Sequence, residues 1–256
     1  MLIHQKWRLK LDANLTIALL IPAFLLIAML YSVTGHGGAS AYIGVMVLLG
    51  MAPQEIKPIA LSLNVIVSFI AAIHFYGAGH FRLALFLSFI ISSVPLAMLG
   101  GYLQLPTQWF NWLMGFALLF AALRIGIKPN IHTVELAPNF IVALIAGAAI
   151  GLLSGLIGVG GGIFLTPLLL LMGWANARQA AAVSAPFILL NSISGLIGFS
   201  IQAKNTFPEI ILWLILPVMI GGFIGSRLGS RSLAMTSISR VLSVVLILAG
   251  VKLLYV

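Results

Sequence analysis

The stretch "GLLSGLIGVGGGIFLTPLLLLMG" (151–173) places four glycines, Gly158 and Gly160 to Gly162, within five positions of a strongly apolar run. Glycine destabilises a helix by roughly 1 kcal/mol per residue relative to alanine, so this cluster is expected to interrupt a helix. In a membrane, an interrupted helix is tolerated only where its backbone is buried in protein or lines a cavity. The surroundings of this interruption therefore become the main question about the chain.

The composition predicts an integral membrane protein. The chain has 256 residues, of which 62% are hydrophobic and 7% are charged; soluble domains carry about 25% charged residues. The net charge of +9 comes from basic residues that stand singly at the ends of apolar runs. That distribution is typical of charges that orient spans in a lipid bilayer. No basic stripe with interleaved aromatic residues is present, so a nucleic-acid partner is not predicted.

Ten apolar runs divide the chain. Most have about 18–23 residues, enough to cross the hydrocarbon core as a helix. Two runs, 39–50 and 162–173, have only about 12 residues, which suits a half-helix or a re-entrant segment. The remaining runs lie near 15–34, 57–76, 82–104, 108–126, 138–157, 179–200, 209–230 and 236–256.

The two short runs occupy corresponding places in two halves of the chain. The segment "GHGGASAYIGVMVLLGMA" (35–52) aligns without gaps on "GVGGGIFLTPLLLLMGWA" (158–175), at a constant offset of 123 residues. Interrupted segments at matching positions of two halves are the best sequence indication of a transporter's binding site. The prediction is an all-α polytopic membrane protein of two tandem helical repeats, 15–126 and 138–256. A cytoplasmic tail (1–14) precedes them and a polar linker (127–137) joins them.

The distribution of lysine and arginine discriminates between two topologies. Twelve lysines and arginines lie outside the middles of the spans. If all ten runs cross, each side of the membrane receives six of them; if the short runs enter and return, eight lie in the cytoplasm and four outside. The positive-inside rule favours the second arrangement, with eight spans and two re-entrant segments, and ten crossing segments are the alternative. Either way the predicted location is the plasma membrane or a cell inner membrane.

The second half resembles a known family. Its glycine loop, the proline of the short run and the following segment "ARQAAAVSAPFILLNSISGLIGF" (177–199) resemble the sulfite exporter family TauE/SafE, and the resemblance extends over nearly the whole chain. It implies export or uptake of small anions, notably sulfite and organosulfonates. The first copy departs from the second at three positions, with His36, Ala39 and Gly44 in place of Val159, Gly162 and Pro167.

The glycine loops predict an anion site. A half-helix that begins after each loop presents free N–H groups and about half a positive charge, which suits an oxyanion. Polar residues in the following spans could line the same pocket or only join helices, and His36 could carry a proton or be structural. The candidate substrate-binding residues are Gly35, His36, Gly37, Gly38, Asn64, Gly158, Gly160, Gly161, Gly162, Ser184 and Asn191. Three further glycines at four-residue spacing, Gly147, Gly151 and Gly155, are interpreted as helix-packing positions.

Enzyme motifs are missing from the sequence. The chain has no cysteine and only four acidic residues, which the runs above place in the tail and loops. It contains no H-E-x-x-H, G-x-S-x-G or Walker motif, so no enzyme activity, metal site or cofactor is predicted. The favoured function is a secondary transporter of a small anion. An anion-selective channel, a carboxylate transporter of the same fold and a non-transporting scaffold are alternatives, and a homodimer is left open.

Overall fold

The computed structural model describes residues 13–126, 138–202, 207–231 and 236–255. These residues form α-helices joined by short loops, with no strand among them, so the predicted all-α fold is confirmed for the described chain. The predicted linker (127–137) and nearly all of the predicted tail lie outside these residues. The helices are α1 (Ala13–Ser32), α2 (Ala39–Leu48), α3 (Pro53–Gly77), α4 (Leu83–Tyr102), α5 (Thr107–Gly126), α6 (Phe140–Ile157), α7 (Gly162–Leu171), α8 (Ala177–Gln202), α9 (Ile210–Arg231) and α10 (Thr236–Tyr255).

Two helices, α2 and α7, are short. Each has ten residues, which corresponds to about 15 Å, or half of the hydrocarbon core. Each begins directly after a glycine with positive φ, Gly38 at 94° and Gly161 at 84°. Because other residues adopt this conformation only at a cost, the glycines define where the short helices start. The prediction of two short helices at these positions is confirmed.

Both short helices are enclosed by other helices. Tyr42, Ile43 and Met46 of α2 are completely buried, as is Leu165 of α7. Five of the described helices, α3, α4, α6, α8 and α9, are long and apolar enough to cross a membrane. The interrupted segments are therefore surrounded by protein, which is the condition for an interrupted helix in a membrane.

Glycines spaced four residues apart bring two pairs of helices into backbone contact. Along α6 and α4 the contacting pairs are Gly147 with Phe89, Gly151 with Ser93 and Gly155 with Ala97; along α9 and α1 they are Gly221 with Leu25, Gly225 with Met29 and Gly229 with Val33. Small residues at this spacing allow membrane helices to approach closely. The packing interpretation of the α6 glycines is thus confirmed. In both pairs the numbers ascend together, so α6 runs parallel to α4 and α9 runs parallel to α1.

Helix α3 also runs parallel to α9. Val67 contacts Gly222 near the middle of the pair, and His74 Nδ1 lies 2.7 Å from Ser226 Oγ further along both helices. Since α1 and α3 are both parallel to α9, they point the same way, and the chain must return between them through α2. The eight-span interpretation requires α1 and α3 to run in opposite directions. That interpretation, with its re-entrant segments, is wrong in this respect.

Two of the cations in the charge count do not lie in loops. Lys57, which is 7% exposed, donates from Nζ to the carbonyl oxygens of Gly100 and Gly101 at 3.2 and 3.0 Å. Lys252 donates to the carbonyl oxygens of Val47 and Leu48 at 2.9 and 3.2 Å. Each ammonium group satisfies the last carbonyls of a helix, α4 or α2, where the helix has no internal donors left.

Candidate functional site

The glycine-rich segments directly before the two short helices are called the first break (33–38, before α2) and the second break (158–161, before α7). The two breaks meet in the interior of the protein. His36, in the first break, donates from Nε2 to the carbonyl oxygen of Gly162, the first residue of α7, at 3.2 Å. His36 Cδ2 would also lie 3.4 Å from a Cβ atom placed on Gly162. Residues 126 positions apart in sequence are therefore in direct contact, as expected if both breaks belong to one site.

Asn64 of α3 joins the same two breaks through its side-chain amide. Its Oδ1 accepts from the Ala39 N–H of α2 at 3.2 Å, and its Nδ2 donates to the Val159 carbonyl of the second break at 3.0 Å. A longer contact of 3.4 Å links Nδ2 to Ser192 Oγ of α8. Asn64 is fully buried, and its donors and its acceptor are occupied by the chain. The residue holds the breaks in register.

The ring of His36 lies between two carbonyl oxygens. Nε2 faces Gly162 as described, and Nδ1 lies 3.0 Å from the Thr34 carbonyl and 2.9 Å from Thr34 Oγ1. A carbonyl oxygen only accepts, so hydrogen bonds to both carbonyls require a proton on each ring nitrogen.

The glycines of the breaks are needed because side chains pack directly on their backbones. A Cβ atom on Gly37 or Gly160 would overlap the Asn64 amide, and one on Gly162 would overlap the end of Ile188. Gly160 also has φ +80° and would place its Cβ 2.8 Å from Ile188 Cγ2. The glycine cluster at 158–162 therefore packs against the Asn64 amide and the Ile188 side chain.

The first turns of α2 and α7 contain backbone N–H groups for which the described chain offers no acceptor. They belong to Ser40 in α2 and to Gly162 and Ile163 in α7. The first N–H groups of a helix have no partner within the helix and carry the positive end of its dipole. Both breaks thus present donors of the kind that bind anions.

A buried hydroxyl without a partner lies beside each of these helix starts. Within the described chain, Tyr42 Oη and Ser154 Oγ have no hydrogen-bond partner. The Tyr42 ring lies against Gly38, with Cζ 2.9 Å from the Cβ position of that glycine, and Ser154 Cβ lies 3.5 Å from that of Gly161. Buried hydroxyls are nearly always hydrogen-bonded, so these two groups are candidates for contact with a polar ligand.

The two breaks differ in accessibility. Thr34 is exposed and His36 partly exposed, whereas every residue from Ile157 to Ile163 is buried. The first break is therefore more exposed than the second, which is enclosed by protein.

The other predicted site residues lie around this centre. A Cβ on Gly35 would contact the backbone of Ala181 in α8, and one on Gly158 would contact Lys57. The structure brings together Gly37, Gly160, Gly162, His36 and Asn64, with Gly38 and Gly161 directly before the short helices. Ser184 and Asn191 are further away: Ser184 Oγ pairs with Thr166 Oγ1 of α7 at 2.8 Å, and Asn191 Oδ1 accepts from Ser93 Oγ of α4 at 2.7 Å.

Sequence reasoning missed two contributors to the centre, Ile188 and Ser192. Both follow Pro186 on α8, in a span rich in isoleucine, leucine and serine, so neither differs in type from its neighbours. Nothing in the sequence marks which side of α8 meets the glycine breaks. The described chain holds no group of three histidine, aspartate or glutamate residues that could bind a metal.

This arrangement of apolar helices around two broken ones is that of a multi-pass membrane transporter. Comparison with known proteins supports the same class of protein. Residues 20–253 match the family model described as "Sulfite exporter TauE/SafE". The chain belongs to this family.

Curated relatives have names of the same kind. A "Probable membrane transporter protein y4hK" of Sinorhizobium fredii is 38% identical over 238 residues, which cover 91% of this chain and 96% of the relative. The "Probable membrane transporter protein YunE" of Bacillus subtilis is 25% identical over 194 residues, covering 66% of this chain and 69% of the relative. No solved structure matches the chain.

Proposed function

We propose that this protein is a secondary transporter of small anions, with sulfite or a short organosulfonate bound between the two glycine breaks. The observation that carries the proposal is the pairing of free N–H groups with an unpartnered buried hydroxyl at the start of both α2 and α7. Helix N-termini of this kind bind oxyanions without a dedicated cation. The family name makes sulfite the first substrate to test.

The charges of the chain support an anionic substrate. Lys252 lies on the carbonyls at the end of α2, so it neutralises the negative end of the helix dipole. Among the described residues, the start of α2 is bonded by the neutral Asn64 amide and by no carboxylate. Acidic residues are scarce in the sequence, four against thirteen lysines and arginines, which also favours anions over cations.

The helix directions support transport by alternating access between two inverted repeats. The halves have the same order of helix lengths, 20, 10, 25, 20 and 20 residues against 18, 10, 26, 22 and 20. Helices α1 and α3 are parallel to one another. Helix α8 is antiparallel to α3, since Ser192 contacts Asn64 and Gly195 contacts Leu61. Helix α8 is also parallel to α4, with Ser194 at Val94 and Gly198 at Met98, and α6 is parallel to α4 as described. The first repeat therefore points opposite to the second. Inverted repeats around broken helices are common in secondary transporters, and they correspond to the ten-segment topology in a plasma or inner membrane.

Flux into proteoliposomes tests the proposal. Purified protein is expected to give saturable uptake of sulfite, with competition by methanesulfonate and little by acetate. Uptake that rises linearly with concentration would indicate the channel alternative, and stronger competition by acetate would indicate a carboxylate transporter. Protein that neither transports these anions nor gains thermal stability in their presence would contradict an anion site, since a ligand of the folded state stabilises it.

His36→Gln is expected to flatten the pH dependence of transport. Imidazole changes charge near neutral pH, and the two ring nitrogens of His36 face the carbonyl oxygens of Thr34 and Gly162. We therefore expect methanesulfonate uptake by the parent protein to rise as the pH falls from 8 to 5.5, because the substrate itself keeps its charge over this range. The control is His80→Gln, in the loop between α3 and α4, which should keep the parent profile. An unchanged profile in the His36 variant would assign His36 a structural role only.

A further inference from the structure

Ile188 of α8 occupies the space between the two breaks. Its Cγ2 would lie 3.3 Å from a Cβ on Gly37 in the first break and 2.8 Å from one on Gly160 in the second. Its Cδ1 reaches the start of α7, where it would overlap a Cβ on Gly162. The side chain is 2% exposed. One branched aliphatic group thus packs against both breaks and, next to His36, against the start of α7.

The backbone around Ile188 is suited to movement. Pro186 lies two residues earlier within α8, and proline removes the N–H that would bond to the carbonyl four residues before it, here that of Ala182. Helices bend at such positions. The α8 backbone contacts Gly35 of the first break at Ala181, so the proline stands between two points at which α8 touches the breaks. A bend at Pro186 would shift Ile188 relative to the first break.

The corresponding residue of the other half does not occupy an equivalent place. Val65 stands 123 positions before Ile188, and it lines a shallow apolar groove with Ile193, Leu196 and Ile197. Between the breaks, α3 therefore contributes the Asn64 amide and α8 contributes the aliphatic side chain of Ile188. This asymmetry agrees with the difference in accessibility between the two breaks.

We propose that Ile188 sets the size limit of the anion site and closes it toward the second break. The proposal rests on the proposed transport of anions between the breaks. A small oxyanion such as sulfite fits beside the isoleucine when α8 bends, whereas an anion with an alkyl chain competes with it for the same space. The residue selects by volume and makes no polar contact with the substrate.

Ile188→Ala is the direct test, with uptake of sulfite and propanesulfonate measured in the same proteoliposomes. We expect the ratio of kcat/KM for propanesulfonate to that for sulfite to rise about tenfold or more, because discrimination by a methylene-sized volume is of this order. Ile188→Val, which removes only the Cδ1 methyl, should give an intermediate ratio. The valine variant keeps the test decisive if the alanine variant does not fold.

The matched control is Ile193→Ala, the same change five residues along α8 on a side chain that is 37% exposed. It should leave the ratio at the parent value. Unchanged ratios in both Ile188 variants, or an equal rise in the Ile193 variant, would overturn the assignment of Ile188 while leaving anion transport intact. A parent protein that transports neither anion would overturn the proposed function itself, so the two failures are distinguishable.

Discussion

Asn64→Leu is expected to lower the free energy of unfolding by about 2–6 kcal/mol. The substitution leaves two buried backbone groups, the Ala39 N–H and the Val159 carbonyl, without their partner. Each orphaned buried group costs about 1–3 kcal/mol. Because these groups belong to different breaks, the variant should also lose anion binding wherever it still folds. Thermal unfolding of the purified protein in detergent measures the first effect, and ligand-induced stabilisation measures the second.

Asn111→Leu provides the matched control. Asn111 of α5 is 4% exposed, and its Oδ1 has no hydrogen-bond partner within the described chain. Removing a buried polar atom that is already unsatisfied costs little or is favourable. We expect this variant to be as stable as the parent protein or slightly more stable. Equal losses of stability in the two variants would show that the bonds of Asn64 do not hold the breaks together.

Gly160→Ala is expected to destabilise the protein by about 2–5 kcal/mol. The backbone there has φ +80°, which costs an alanine roughly 1–2 kcal/mol. The added methyl group would also meet Ile188 Cγ2 at 2.8 Å and Ser192 Oγ at 2.9 Å, and overpacking of this kind adds about 1–3 kcal/mol. The measurement is again thermal unfolding in detergent, combined with anion uptake by the folded fraction.

Gly79→Ala separates the two contributions to that loss. Gly79 has φ +76°, and nothing lies within 4 Å of its Cβ position, so this variant carries the backbone cost alone. We expect it to lose about 1–2 kcal/mol and to transport normally. If Gly79→Ala and Gly160→Ala are equally destabilised, the second break is not packed against α8 as described.

The positions of the breaks were predictable because they depend on local conformation. The backbone turns through positive φ at Gly35, Gly38, Gly158 and Gly161, and only glycine adopts this conformation readily. The lengths of the two short helices follow from the glycines that precede and follow them. The membrane class was predictable for an equally simple reason, since so few charges cannot cover a soluble surface.

Helix direction was not predictable from the same sequence. A charge count treated Lys57 and Lys252 as loop residues, yet both ammonium groups bind helix carbonyls, Lys57 at a buried position and Lys252 at a partly buried one. A buried cation satisfied by a helix C-terminus has the same sequence signature as a cation in a loop. The parallel course of α1 and α3 became evident only from their common contacts with α9.

The candidate site was predicted in its residue types and only partly in its arrangement. Polarity marked Asn64 and His36 in an apolar chain, because polar groups in a membrane are costly and require partners. The sequence could not show that the Asn64 amide forms hydrogen bonds to both breaks. Nor could it show that Asn191 bonds to Ser93 of α4. It carried no sign of Ile188, because one isoleucine in an apolar span resembles every other.

The sequence by itself determined the membrane class, the two interruptions and the short helices after them, since composition and glycine backbone freedom act locally. The tertiary structure alone decided which way each helix runs, which side chains fill the space between the breaks and which break is accessible. Those properties depend on contacts between residues more than 100 positions apart, such as His36 with Gly162 and Gly37 with Ile188. Such contacts are selected by how whole helices pack, and no local pattern of residues encodes them.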